Sequence, residues 1–273
     1  MRKWAMFPSV GSRETQRLGF SAIALCALVL EAATGPAIAA GCSFAPQGEG
    51  RVTAVIDART LRLEDGREVS LVGIEPVVPD SPGVSRTAAL SAITSGRDVT
   101  LHGDDDTPDR YGRQPAFVFL AGSGVSVQAM LLTQGDALVA ATVAESDCAA
   151  TLVAAEASAR AAKRGTWANS AVIKNAESAG DILAGIGRFM VVEGRVLSVR
   201  QAGATIYLNF GRNWTRDFAV TIPKRMVNAF GAAGILLKSL ENKRIRVRGW
   251  IEAHGGPRIE VLRVGQIERL GEN

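Results

Sequence analysis

The chain has 273 residues, 47% hydrophobic and 21% charged, a composition that excludes a disordered chain and leaves room for one large or two small domains. Two histidines, His102 and His254, are too few for a zinc site or a histidine-based nucleophile triad. The net charge of +4 is uneven: residues 41–179 carry 12 basic and 17 acidic side chains, residues 180–273 carry 15 basic and eight acidic, so attraction for a polyanion belongs to the C-terminal third.

At the N-terminus Arg2, Lys3, Arg13 and Arg17 precede an apolar run from Leu18 to Leu30, and Ala37-Ile38-Ala39-Ala40 follows as a small-residue cleavage pattern. Residues 1–40 are read as a secretory signal peptide. The run is too short to span a membrane, being interrupted by Glu31 and Pro36. The expectation is an exported protein, periplasmic or secreted, with no membrane span after signal removal; the alternative is an uncleaved anchor. Cys42 and Cys148 would then meet an oxidising compartment, and a disulfide between them is expected. Lipidation of Cys42 competes, since Ala39-Ala40-Gly41-Cys42 partly matches a lipobox, but Ala39 stands where a large aliphatic residue belongs.

From Gly50 to Val72 apolar and polar residues alternate at period two, with Asp65-Gly66 as a hairpin turn. A Pro-rich loop covers 76–82 and a helix is predicted over 85–95. Strands follow at 99–102 and 116–120, separated by an acidic loop, then helices at 127–132 and 149–164, the last stopped by Gly165. Strands and helices in that order predict a five-stranded OB-fold barrel with packed helices over 45–168. Residues 169–184 are polar and alanine-rich and read as a linker.

A second, smaller OB-like β-barrel is predicted over 185–270, making the protein mainly β (α+β). Its strands fall at 189–196, 205–210, 218–222, 243–252 and 258–261, with one helix over 223–230. Its first strand carries Gly194-Arg195-Val196, echoing Gly50-Arg51-Val52. Arg244, Arg246 and Arg248 alternate with Ile245 and Val247, so a strand would put three guanidinium groups on one face. With Tyr207, Phe210, Trp214 and Trp250 nearby, that face reads as a single-strand nucleic-acid binder or as an ordinary polar sheet face.

Three segments carry a resemblance. Asp57-Ala58-Arg59-Thr60, Ser70-Leu71-Val72-Gly73-Ile74-Glu75-Pro76 and Asp109-Arg110-Tyr111-Gly112-Arg113 resemble, in order, the motifs of the thermonuclease (staphylococcal-nuclease-like) family, a calcium-dependent phosphodiesterase fold. The resemblance implies Asp57 and Glu75 as metal carboxylates and Arg113 as the catalytic arginine. It also implies Arg110 and Tyr111 as phosphate contacts, and single-stranded DNA or RNA as partner. Three positions depart from the family pattern: Arg59 replaces a metal-binding aspartate, Ser70 a phosphate-binding arginine, and Val78 the water-orienting glutamate.

A guanidinium cannot ligate calcium, and the replacement suggests an Arg59–Glu75 ion pair where the cation would sit. Loss of one preorganised electrostatic contact costs about 10²–10³ in rate. The expectation is therefore nucleic-acid binding with weak or lost hydrolysis, with calcium if active and otherwise no cofactor. The alternative is a non-catalytic envelope protein whose two barrels bind protein or glycan. Asp57, Thr60 and Asp109 also have a purely local reading as turn-capping residues.

Overall fold

The strand β1 (Ala45–Asp57) changes partner halfway along its length in the computed structural model, which describes residues 42, 44–77 and 87–271. The proposed signal segment and Val78 lie outside the described residues. The first half of β1 pairs antiparallel with β5 (Asp98–Gly103), from Ala45 opposite Gly103 to Arg51 opposite Asp98. Its second half pairs with β2 (Thr60–Leu63), from Val52 opposite Leu63 to Asp57 opposite Thr60. The bend falls at Gly50, where a Cβ would lie 3.1 Å from Leu63 Cδ1. Bare backbone lets the strand curl across itself.

Asp65-Gly66 turns β2 into β3 (Glu68–Leu71), Gly66 at φ 87°. β3 lies parallel to β6 (Gln114–Leu120), and β6 antiparallel to β5, so β1-β2-β3-β6-β5 closes a five-stranded barrel. Leu61, Leu63, Val69, Leu71, Leu101 and Val118 fill it, as the period-two pattern requires.

Three helices pack on this barrel: α1 (Ala88–Thr94), α2 (Val127–Gln134) and α3 (Ser146–Ala161). Ser126 caps α2 by accepting from Ala129 N, and Gly135 ends it at φ 80°. Glu145 caps α3 by accepting from the backbone of Asp147 and Cys148, which starts that helix three residues earlier than the alanine run suggests. Cys148 is disulfide-bonded to Cys42, pinning the start of the barrel to α3. Two short strands, β4 (Ile74–Pro76) and β7 (Ala137–Val139), pair beside the barrel.

Residues 169–184 are not an unpaired tether. They hold β8 (Ile173–Asn175), parallel to β9 (Phe189–Arg195), and α4 (Ala179–Leu183), whose Ile182 is fully buried. The apolar residues there are too few to show a period, yet each finds a neighbour; Val172 and Ile173 pack with Trp167, Leu138 and Val191.

The second barrel repeats the first. β9 and β10 (Ser198–Ala202) are separated only by Val196 and Leu197 and together play the part of β1. β9 pairs antiparallel with β13 (Arg244–His254), and β10 with β11 (Thr205–Asn209). β11 pairs with β12 (Ala219–Pro223), β12 runs parallel to β14 (Gly256–Glu260), and β14 returns to β13. This is the same sequence of antiparallel and parallel pairings, with β8 and β15 (Ile267–Arg269) added at the flanks and α5 (Val227–Ala232) between β12 and β13. Gly194-Arg195-Val196 occupies the partner-switching point, as Gly50-Arg51-Val52 does in β1. A Cβ on Gly194 would meet Phe210 Cδ1 at 2.9 Å.

Candidate functional site

The turn from β1 to β2 and the loop entering β6 bring two of the three motifs together. Asp57 ends β1, and its carboxylate accepts from Arg59 N at 2.9 Å and from Thr60 Oγ1 at 3.0 Å. Both carboxylate oxygens thus cap the turn, which short acidic side chains do well. Thr60 Oγ1 in turn accepts from Arg113 Nη1 at 3.3 Å.

Arg113 is built into its loop by Asp109. Asp109 Oδ1 accepts from the backbone of Tyr111 at 2.8 Å and of Arg113 at 3.0 Å. Its Oδ2 accepts from Arg113 Nε at 2.9 Å and Nη2 at 2.7 Å. Gly112, at φ 78°, lets the loop close so tightly. The Arg113 side-chain hydrogen bonds hold the Asp109 carboxyl down to about 2, and the same bonds, helped by the charges of Asp109 and Asp57, raise Arg113 above its ordinary value. Arg113 is therefore a fixed, permanent cation.

Tyr111 is 65% exposed, and the guanidinium carbons of Arg110 and Arg113 lie 4.7 and 5.0 Å from its ring centroid. This arginine–tyrosine–arginine arrangement presents positive charge and an aromatic face side by side.

Glu75 sits on β4 and is buried. Its Oε1 accepts from Arg59 Nη1 at 3.1 Å. Burial pushes the Glu75 carboxyl up, while the charge and hydrogen bond of Arg59 pull it back. Ser70 is buried in β3.

Calcium takes six to eight oxygen ligands, and these residues do not supply them. The Asp57 oxygens are engaged by the turn, and Glu75 Oε1 is engaged by the Arg59 guanidinium. Among the described residues no group of three or more Asp, Glu, His or Cys side chains could hold a metal ion.

The basic strand departs from expectation. Arg244, Arg246 and Arg248 do share one face of β13, but only Arg244 reaches solvent, and it lies 3.8 Å from Glu193. Arg246 is buried between Glu193 and Glu268, with Nε to Glu193 Oε1 at 2.7 Å and Nη1 to Glu268 Oε2 at 2.6 Å. Arg248 is buried against the first barrel, donating to Glu156 Oε2 at 2.7 Å and to Val139 O at 3.3 Å. Helix α3 covers this face, so Arg246 and Arg248 are not presented to a nucleic acid as the alternation suggests. Alternation fixes which residues share a face and says nothing of what lies upon it.

Sequence reasoning missed the acidic partners Glu156 and Glu268, and Arg160, which bridges them at 3.1 and 3.3 Å. The signal was an isolated Glu–Arg pair four residues apart in an otherwise alanine-rich helix. Of the aromatics named with that strand, Phe210 is buried, whereas Trp214 and Trp250 are exposed.

Residues 83–169 match the family model described as staphylococcal nuclease homologue. The matched range contains Asp109–Arg113 and all three helices on the first barrel, and it begins after Asp57, Arg59 and Glu75. No curated protein matches the chain.

Proposed function

With the first barrel staphylococcal-nuclease-like over the matched range, we propose that this is an exported protein that binds nucleic acid phosphodiesters and retains at most a trace of their hydrolysis. The observation supporting loss of hydrolysis is the Arg59–Glu75 ion pair at 3.1 Å, which engages with a guanidinium one of the carboxylates that the resemblance assigns to the metal. Binding survives that change because the exposed Arg110 and Tyr111 present charge and an aromatic face without metal, and Arg113, paired with Asp109, fixes the loop that carries them. The partner is single-stranded DNA or RNA, whose splayed bases can reach an aromatic side chain.

Export draws support from the charged, apolar and small-residue pattern of residues 1–40 and from the disulfide between Cys42 and Cys148. Among the described residues no helix is long and apolar enough to cross a membrane.

The test is digestion of single-stranded DNA and RNA by residues 41–273, with calcium and with chelator, beside an Arg113→Ala control. The expected result is negligible cutting in both, with binding that weakens steeply with salt and is reduced in Arg113→Ala. Calcium-dependent cutting abolished by Arg113→Ala would overturn the loss of hydrolysis. Absence of salt-sensitive binding would instead favour the envelope-protein alternative.

A further inference from the structure

A cleft of about 410 Å³ runs between the two barrels, within the roughly 300–1,000 Å³ of small-ligand sites. Glu75 lines one side, and Phe189 and Trp250 line the other. Trp250 is 51% exposed, although its cross-strand partner Phe189 holds it edge-on with ring centroids 6.1 Å apart. A steadied indole with an open face is an unfilled stacking surface. Beside it Gly249 lets β13 pack closely on β14, since a Cβ there would lie 2.5 Å from Ile259 Cγ2.

Arg225 and Arg263 line the same cleft, and neither forms an ion pair among the described residues. Arg263 is held by Gln266, whose Oε1 accepts from the backbone of Leu262 at 2.8 Å and of Arg263 at 2.9 Å. Gln266 Nε2 donates to Arg248 O and Glu260 O, both at 3.1 Å, which ties that loop to β13. Three carboxylates also line the cleft. Glu75 is neutralised by Arg59 and Glu252 by Arg258 at 3.0 Å, leaving Glu260 alone against two unpaired arginines. An aromatic plane with surplus positive charge around it suits a planar base carrying a phosphate.

On the other wall, Ala141 lies between the cleft residues Ala140 and Thr142 and is held at φ 55°. A left-handed alanine is strained, and strain of this kind gathers at ligand sites.

We propose that this cleft binds one nucleotide of a single-stranded nucleic acid, its base stacked on Trp250 and its phosphates on Arg225 and Arg263. The proposal deepens the nucleic-acid reading above and rests on it. The second barrel then contributes through its cleft edge, and not through the arginine face of β13.

Residues 41–273 are titrated into fluorescein-labelled oligo(dT) and oligo(U), read by anisotropy at several salt concentrations. Trp250→Ala is expected to weaken binding about 5- to 100-fold and Trp250→Phe to restore most of it. Arg225→Ala and Arg263→Ala are each expected to flatten the salt slope by about 0.7 for every phosphate that the arginine neutralises. Circular dichroism of each variant verifies folding, and the half-exposed Trp250 tolerates both changes. If all four variants bind like the wild type while Arg113→Ala weakens binding, the cleft proposal is overturned and the first-barrel reading stands. If the wild type binds neither oligonucleotide, both fall.

Discussion

Arg248 in the second barrel donates to Glu156 in the first at 2.7 Å, with side chains only 3% and 1% exposed. Glu156 also accepts from Val139 N at 2.7 Å and from Arg160 at 3.1 Å, so its carboxylate has a full set of partners. A buried pair of this kind repays its desolvation only while complete. Arg248→Ala should therefore cost about 3–5 kcal/mol in denaturant unfolding, with little dependence on salt. A change below about 1 kcal/mol would mean that water reaches Glu156 in the folded protein.

Replacing Arg59 by aspartate exchanges the guanidinium on Glu75 for a second carboxylate near it. Isothermal titration of the wild type with calcium should show no specific heat. Arg59→Asp should gain a calcium site on the order of 10⁻⁴–10⁻³ M, the range of weak extracellular modules. Equal calcium binding by both proteins would show that the guanidinium is no obstacle.

Asp109 sets a pH expectation. Its carboxyl is held at about 2 against an ordinary 3.8, first by the Arg113 side-chain hydrogen bonds. A lowered carboxyl stabilises the fold fully above the unfolded value, and that contribution is lost as pH falls from about 3.8 toward about 2. The ¹³C shift of the Asp109 carboxyl should titrate near the lower value in the wild type. In Arg113→Ala it should move up toward the ordinary one. An unchanged midpoint would place the cause elsewhere in the loop.

The Cys42–Cys148 disulfide closes a loop with a sequence separation of 106 residues. Loop-closure entropy for such a span is worth about 4–5 kcal/mol. The Cys42→Ser/Cys148→Ser double variant should melt well below the wild type, and reductant should lower the wild-type melting temperature similarly. Insensitivity to reductant, with thiol titration showing two free cysteines, would count against the bond.

The barrels were legible because their signals are local. Asp65-Gly66 marks a hairpin, alternation from Val52 to Leu71 marks one buried face, and Gly165 follows the end of α3. The order of the first two motifs also placed Arg59 and Glu75 within reach of each other. The partner of Arg248 was not legible, because Glu156 lies about 90 residues away on a helix of the other barrel and no period links them. Residues 169–184 misled for a related reason. Their few apolar side chains, such as Ile173 and Ile182, become informative only once the sheet that receives them is known.

The pairing of β8 with β9 has a further consequence. Because the chain between the barrels is hydrogen-bonded into the second sheet, no slack segment remains there to serve as a hinge. Two domains joined so closely do not open and shut like a jaw around what they hold.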